Sequence, residues 1–350
     1  MNETITPRQA RILNLIISSN GITREAVQSE IEKTYAISRP TLIRDLNELV
    51  RQKRIKKIGK GPVTKYISFT DNPLFKKFDI DAYFSIEPDL RNAKKSFDFK
   101  IFQYIENLIS KEDMTHLAKI KKSFSMVTSQ LDPTILKREL ERFVIELSWK
   151  SSKIEGNTYT LLETESLIKE QIEARGKRRD EAIMILNHKA AFDTILKNTE
   201  DFTAITFSNI NQLHNILVKD LNITSGIRKQ AVGITGTIYK PLDNDHHIRE
   251  ALEKMIKAVN KTENPFKKAL IVHSLIPYIQ PFADGNKRTA RMLTNALLLA
   301  YDLFPLSYRS VNEDEFKKAL ILFYEQLSII EVKKLFIEQF LFASSTYFNS

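Results

Sequence analysis

Residues 280–291 read Gln-Pro-Phe-Ala-Asp-Gly-Asn-Lys-Arg-Thr-Ala-Arg and join two apolar segments. The preceding segment, 266–279, is mostly aliphatic, and apolar residues recur at helical spacing from Met292 to Ala300. This pattern predicts a short loop that opens a buried helix. The rest of the chain is then expected to support or control this loop.

The residue types of the loop favour anion binding. Asp284, Gly285 and Asn286 suit a tight turn, and the N-terminus of a helix that follows such a turn attracts anions. Arg288 and Arg291 are three residues apart, so their side chains would project toward the same region. Guanidinium groups suit phosphate oxygens, and a carboxylate suits a Mg²⁺ ion that bridges them. These residues predict a nucleotide polyphosphate site.

The same stretch resembles the signature of the Fic family, His-x-Phe-x-(Asp/Glu)-Gly-Asn-(Gly/Lys)-Arg-x-x-Arg. Seven of its eight defined positions match. The resemblance extends over roughly the last two thirds of the chain. It implies a mainly α-helical fold, a Fic-type helical bundle, with ATP and Mg²⁺ as cofactors.

The resemblance also implies roles for individual residues of the loop. Asp284 would hold Mg²⁺, and Arg291 would reach the terminal phosphate. Phe282 would pack the loop onto the core. The ATP site implied by the resemblance consists of Gly285, Asn286, Lys287, Arg288 and Arg291, in which Asn286 and Arg288 hold the phosphates.

One position departs from the signature. The histidine that acts as general base on the target hydroxyl is replaced by Gln280. A neutral amide forms hydrogen bonds but does not take up a proton near neutral pH. Losing a positioned base typically costs about 10²–10⁴-fold in rate. His273 lies seven residues earlier, about 10 Å along a helix, and is expected in the core. The sequence predicts ATP binding with impaired transfer.

The resemblance implies AMP transfer from Mg·ATP to a Ser, Thr or Tyr hydroxyl of a protein, which could be the chain itself. Lys287 leaves phosphate transfer open, because lysine occurs there in the Doc-like branch and glycine is common among AMP-transferring members. Gly285 and Arg291 are retained and favour AMP transfer. A non-enzymatic alternative is a transcription regulator in which ATP occupancy changes DNA binding, and this alternative accounts for Gln280 directly.

A second motif precedes the loop by more than a hundred residues. Ser151, Glu155 and Gly156 match (Ser/Thr)-x-x-x-Glu-(Gly/Asn), the inhibitory-helix motif of Fic proteins. Glu155 would pair with Arg291 and occupy the place of the terminal phosphate. Alternatively, Glu155 is a glutamate at an ordinary helix end beside a glycine cap.

Residues 226–239 alternate apolar and small residues around glycines, which predicts a β-hairpin. By resemblance it is the Fic flap, which pairs with a target segment as an added strand. The predicted docking residues are Val232, Ile234, Thr235 and Gly236. His188 and His214 lie on predicted helices without partner motifs, so both are interpreted as structural.

Residues 1–70 carry thirteen Lys/Arg and six Asp/Glu, a net charge of +7. Predicted helices from Pro7, over 23–33 and over 39–52 precede two alternating strands around a Gly-Pro turn. This order resembles a winged helix-turn-helix domain that binds DNA. The DNA-contacting candidates are Arg39, Thr41, Arg44, Lys56, Lys57 and Lys60. Alternatively, the domain serves protein docking or dimerisation.

The composition limits the class of protein. The chain contains no cysteine, which excludes disulfides, Cys-zinc sites and thiol catalysis. No apolar stretch approaches 18 residues, so we expect a cytoplasmic protein without a membrane partner.

Helices are also predicted over 97–109 and 113–124 and from Asp132-Pro133. The expected domains are a winged helix (1–70), a linker with helical lead-in (71–147), a Fic domain with inhibitory helix (148–310) and packing helices (311–350) whose apolar stripes serve the core or a homodimer.

Overall fold

The computed structural model describes residues 5–19, 21–59, 61–69, 72–105, 108–117 and 123–348. The chain divides into two compact units, Met1–Arg91 and Asn92–Ser350. The division falls after Arg91 rather than at residue 70, where the first predicted domain ends. The Arg91 side chain folds back on its own segment, because its Nε donates to the Ile86 carbonyl (2.9 Å) and its guanidinium lies 4.7 Å from the Phe84 ring.

The first unit combines short helices with a small antiparallel sheet. Its elements are α1 (Pro7–Ser18), β1 (Ile22–Thr23), α2 (Arg24–Glu32), α3 (Arg39–Arg51), β2 (Ile55–Ile58), β3 (Lys65–Ser68) and α4 (Ile80–Phe84). The strand order is β1-β3-β2, and Ile55 pairs with Ser68. Thr23 and Ser38 cap α2 and α3 through their hydroxyl groups, which fixes where these helices begin.

Apolar side chains from α1, α2, α3 and the sheet close the core of this unit. Ile12, Val27, Leu46 and Tyr66 are among its buried members. Helices α1, α2 and α3 and strands β2 and β3 occur in the order expected from the sequence, whereas β1 was not predicted. The prediction made for Lys60 concerns a residue outside the described ranges.

The second unit is helical. Its helices are α5 (Ile101–Tyr104), α6 (Lys111–Leu117), α7 (Phe124–Thr128), α8 (Pro133–Ile154), α9 (Leu161–Glu170), α10 (Arg179–Lys197), α11 (Phe207–Leu217), α12 (Asp245–Lys261), α13 (Pro265–Ile279), α14 (Asn286–Ala300), α15 (Glu313–Gln326) and α16 (Ile330–Thr346). Helix α13 packs along α14, and α8, α10, α11, α12 and α15 surround the pair. No helix within the described ranges combines the length and the apolar character needed to cross a membrane.

The helices predicted over 97–109 and 113–124 differ from the observed elements within the described residues. Phe97 stacks on Tyr278 at 4.6 Å, and the Tyr278 hydroxyl accepts the Asp98 N–H at 3.0 Å. These contacts hold the backbone before Ile101 outside a helix, so α5 is a single turn instead of the predicted helix over 97–109. Of the helix predicted over 113–124, residues 118–122 lie outside the described residues; α6 covers Lys111–Leu117, and Ser123 is the cap that precedes α7.

The predicted β-hairpin at 226–239 is wrong. The chain turns at Thr235 and Gly236 (φ 84°), but no strand forms in this segment. The guanidinium of Arg228 donates to the carbonyls of Gln230 and Leu242 and thereby joins the two limbs of the loop. A side chain thus provides the cross-link that a β-ladder would have supplied.

Candidate functional site

The loop between α13 and α14 bends at two residues in the left-handed region. Gln280 (φ 52°) ends α13, and Gly285 (φ 79°) precedes α14. A Cβ added at Gly285 would lie 3.0 Å from Cγ1 of Val218. Glycine is therefore favoured at this position by its backbone conformation and by the close packing.

The Asn286 side chain holds the loop in shape. Its Oδ1 accepts the Phe282 N–H (2.9 Å), and its Nδ2 donates to the Phe282 carbonyl and to Oε1 of Gln280, both at 2.8 Å. Both N–H groups of the amide are thus engaged within the loop. The contact with phosphate that was predicted for Asn286 would require one of these bonds to break.

Gln280 is buried and bonded at both ends of its amide. Its Nε2 donates to the Pro277 carbonyl at 2.8 Å, and its Oε1 accepts from Asn286. At the position of the signature's base, the structure therefore contains a neutral group that braces the loop.

Asp284 and Arg288 lie together at the start of α14. Oδ2 of Asp284 is 3.3 Å from Nη2 of Arg288, whose side chain is only 3% exposed, whereas that of Asp284 is 70% exposed. The first turn of α14 receives no side-chain cap from Gly285. An exposed carboxylate and an uncapped helix N-terminus fit Mg²⁺ and phosphate oxygens, respectively.

Glu155 contacts two cationic side chains of α14. Its Oε1 lies 2.9 Å from Nη2 of Arg291, and its Oε2 lies 3.1 Å from Nζ of Lys287. The approach to Arg291 is a charge contact, since Oε1 receives no aligned hydrogen bond. Burial raises the pKa of Glu155, but the charges of Arg291 and Lys287 outweigh it and hold the pKa at about 2. The contact between Glu155 and Arg291 expected from the motif is present, and Lys287 adds a second one.

Ser151 holds the Arg291 guanidinium through two hydrogen bonds. Its Nε donates to the Ser151 hydroxyl (2.8 Å) and its Nη2 to the Ser151 carbonyl (2.9 Å). Its Nη1 is buried and has no hydrogen-bond partner among the described residues. A buried charged donor without an acceptor is costly, so this atom marks a place where a ligand oxygen would fit.

A cleft of about 360 Å³ opens beside these groups. Glu155, Gln280, Asp284–Arg288 and the loop residues Val232–Thr235 line it, whereas Gly236 does not. Arg291 is also absent from the lining and lies behind Glu155, with a side chain only 1% exposed.

Helix α15 forms a wall of the cleft that the sequence interpretation missed. Phe316, Leu320 and Tyr324 line it at four-residue spacing. The sequence analysis assigned the apolar stripes of 311–350 to the core or a homodimer, because helical periodicity identifies an inward face but not the space that it meets. The Tyr324 hydroxyl is buried and has no hydrogen-bond partner within the described part of the chain.

Helix α8 brings the motif residues to the site. Asp132 caps its start, and Glu155 and Gly156 (φ 94°) end it. Trp149, the only tryptophan of the sequence, lies near this end and donates from Nε1 to the Tyr159 carbonyl at 3.1 Å. The adjacent Lys150 pairs with Glu313 of α15 at 2.5 Å.

His214 supports the loop without entering the cleft. Its ring stacks on Phe282 at 3.7 Å, and its Nε2 donates to the Asp284 carbonyl at 3.0 Å. Burial lowers the pKa of His214. The side chain of Phe282 is fully buried.

Arg228 is a second supporting residue that the sequence analysis did not select. Its side chain is buried, its Nε donates to the Gln280 carbonyl at 2.6 Å, and its backbone N–H donates to the Pro281 carbonyl at 3.0 Å. Together with its bonds to Gln230 and Leu242, this side chain links the α13–α14 loop to the segment that lines the cleft.

Replacing Arg228 by alanine is expected to lower the free energy of unfolding by about 2–4 kcal/mol, because three carbonyls lose a charged donor. Urea unfolding checks this value. Arg249→Ala is the control: Arg249 forms an exposed pair with Asp245, and its loss should cost less than about 0.5 kcal/mol. Equal costs for the two variants would contradict the role given to Arg228.

Residues 204–298 match the model of the Fic/DOC family, and this part of the chain is a Fic/DOC family domain. The chain is 28% identical over 204 residues to a protein adenylyltransferase Fic of Aedes aegypti, covering 56% of this chain and 40% of that protein. It is 26% identical over 238 residues to the protein of the same name from Nematostella vectensis, covering 63% and 51%. The chain thus spans about half the length of these relatives or less.

Solved structures share the helical fold. Fic-1 (residues 134–508) from C. elegans superposes with a TM-score of 0.59 at 20% identity, over 68% of this chain and 72% of that one. A Fic domain-containing signaling protein from Bacteroides thetaiotaomicron gives a TM-score of 0.55 at 21% identity, over 66% and 95%. These likenesses confirm a mainly helical, Fic-type fold.

Proposed function

We propose that the chain is a protein adenylyltransferase of the Fic type, restrained by Glu155 and weakened at the position of its base. The reaction would transfer AMP from Mg·ATP to a Ser, Thr or Tyr hydroxyl of a protein. The observation that carries this proposal is the buried Arg291 guanidinium, which has an unpaired Nη1 and is covered by the carboxylate of Glu155.

Different residues of the loop would bind the phosphates and the Mg²⁺ ion. Arg288 and the uncapped N-terminus of α14 would hold phosphate oxygens, and the exposed Asp284 carboxylate would hold Mg²⁺, which neutralises charge on the phosphates. Arg291 would take the terminal phosphate once Glu155 has left. The wall of α15, with Phe316 and Tyr324, is then available to the nucleoside.

The proton of the target hydroxyl has no acceptor in this arrangement. The hydroxyl oxygen forms a bond to the α-phosphorus, pyrophosphate leaves, and a base must take up the hydroxyl proton. The amide of Gln280 is neutral, and its oxygen already accepts from Asn286. Transfer would therefore rely on solvent as the base.

Position-specific labelling of ATP tests the reaction type. After incubation with Mg·ATP, a label from the α-phosphate on a protein hydroxyl supports AMP transfer. A label from the γ-phosphate alone would replace this proposal with phosphate transfer, the reaction of the Doc-like branch. Transfer of neither label, even by a Gln280→His and Glu155→Gly double variant, would overturn both.

Exposed basic residues on the first unit favour a second candidate, an ATP-sensing regulator that binds DNA. Arg39 and Arg44 on α3 and Lys56 and Lys57 on β2 are exposed. Thr41, the remaining DNA candidate on α3, is half-buried, and its hydroxyl lies 2.9 Å from that of the capping Ser38. An exposed basic helix beside a basic strand suits a major groove and its flanking phosphates.

Removing Arg39 and Arg44 together from the full chain is expected to weaken duplex DNA binding at least about 10-fold. A mobility-shift titration at several salt concentrations measures this change. Arg51→Ala is the matched control, because Arg51 lies on the same helix but pairs with Glu48 at 2.7 Å. Absence of binding at low salt, or an equal loss in the control, would contradict DNA recognition by α3.

A further inference from the structure

We infer that His188 is a positioning residue for Arg291 and acts through the hydroxyl of Ser151. The inference rests on the proposed function, because it concerns how the phosphate-binding guanidinium is held. His188 lies on α10, outside the stretch that matches the family model, and its side chain is fully buried.

A continuous chain of hydrogen bonds connects the two residues. Nε of Arg291 lies 2.8 Å from Oγ of Ser151, and that oxygen lies 2.8 Å from Nε2 of His188. The other ring nitrogen, Nδ1, lies 2.7 Å from the carbonyl of Met184, one turn earlier on α10. Oγ of Ser152 lies farther from Nδ1, at 3.3 Å.

The chemistry of the groups fixes the direction of every bond in this chain. The Met184 carbonyl only accepts, so Nδ1 carries the proton. Burial lowers the pKa of His188 to about 3, and the ring is neutral at physiological pH. Its Nε2 therefore accepts, and the Ser151 hydroxyl donates its only proton to it. The same Ser151 oxygen then faces Arg291 as an acceptor, because a guanidinium can only donate.

This arrangement sets the orientation of Arg291. With the hydroxyl proton committed to His188, the lone pairs of the Ser151 oxygen are directed to Nε of Arg291. The Ser151 carbonyl holds Nη2, which leaves Nη1 as the donor without a partner. Without the His188 acceptor, the Ser151 proton could rotate toward Nε of Arg291, and the guanidinium would lose its fixed position.

Two amide substitutions separate positioning from simple core packing. In glutamine the amide reaches about as far as Nε2 of histidine, and in asparagine about as far as Nδ1. His188→Gln can therefore accept from Ser151, whereas His188→Asn keeps only the contacts near Met184. Both variants would be made in the full chain carrying Glu155→Gly, and Mg·ATP affinity would be measured by calorimetry.

We expect His188→Asn to weaken Mg·ATP binding about 10-fold, as loss of one hydrogen bond to a charged group predicts, and His188→Gln to stay within about 3-fold. Ser151→Ala should weaken binding as much as His188→Asn, and the double variant no further, because both changes break the same chain. Ser152→Ala is the neighbouring control and should leave affinity unchanged. If the His188→Asn variant fails to fold, the Ser151→Ala variant still tests the positioning role.

A second readout separates failure of the inference from failure of the proposed function. We would follow the Nε–H proton of Arg291 by NMR in the nucleotide-free chain. It should exchange slowly with solvent when residue 188 is histidine or glutamine, and faster when residue 188 is asparagine. If the Glu155→Gly chain does not bind Mg·ATP but the exchange rates differ as expected, the proposed function is wrong and the positioning role of His188 is still supported. Equal losses of affinity and equal exchange for the two amides would overturn the positioning role.

Discussion

Replacing Gln280 by histidine in a Glu155→Gly chain is expected to raise the rate of AMP transfer by about 10²–10⁴-fold, the usual contribution of a positioned general base. An imidazole titrates near neutrality and can take up the proton of the target hydroxyl, whereas the amide cannot. Initial rates with α-labelled ATP and a protein acceptor measure the gain. The Glu155→Gly background separates the effect of the base from that of the carboxylate covering Arg291.

The geometry at position 280 allows this substitution. Gln280 lies in the left-handed region (φ 52°), and histidine is among the non-glycine residues that occur there more often. The variant loses the Gln280 acceptor for Asn286, which should lower stability by about 1 kcal/mol. Gln280→Ala is the matched control, because it loses the same bond without adding a base. Equal rates for the histidine and alanine variants would refute the assignment of position 280.

Replacing Glu155 by glycine is expected to tighten Mg·ATP binding by about 10- to 100-fold, the equivalent of one or two charge-assisted hydrogen bonds. The substitution removes the carboxylate that lies beside Nη2 of Arg291 and Nζ of Lys287, and with it a negative charge at the proposed place of the terminal phosphate. Calorimetry of the two chains with Mg·ATP measures the change. Glu155→Gln keeps the volume of the side chain and removes its charge, so it should give only part of the increase in Mg·ATP affinity.

The gain in Mg·ATP affinity on replacing Glu155 by glycine should not depend on pH between about 6 and 8. The pKa of Glu155 is lowered from its ordinary 4.5 to about 2 by its two cationic neighbours. For a lowered pKa, the stabilisation is complete above the ordinary value and is lost as pH falls toward the folded value. Glu155 therefore stays ionised near neutrality. Equal Mg·ATP affinity in Glu155→Gly and the unchanged chain would show that the carboxylate does not compete with nucleotide.

Local chemistry made many of the helices predictable from the sequence. Asn312 caps α15, one of the packing helices expected over 311–350, because its side chain accepts the N–H groups of Asp314 and Glu315. The Asp132-Pro133 pair begins α8 for a similar reason, since the carboxylate accepts first-turn N–H groups and proline suits the first helical position. Such signals lie within a few residues of the element that they define.

The supporting contacts of the site were not predictable because they join distant parts of the chain. Arg228 and Gln280 are 52 positions apart, and Ser151 and His188 are 37 apart. No spacing in the sequence indicates either pair. The wrong hairpin has the same origin: alternation in 226–239 was interpreted as strand pairing, but the limbs are joined by a guanidinium that the pattern does not reveal.

The position of Trp149 gives the chain a built-in fluorophore. It lies on the last turns of α8, within two turns of Glu155, and its indole is bonded to the Tyr159 carbonyl and flanked by the Lys153 ammonium at 5.1 Å. Because the sequence contains no other tryptophan, indole emission arises from this one helix end. We therefore expect the proposed displacement of Glu155 by nucleotide to change the emission intensity, which can be followed in real time without attaching a dye.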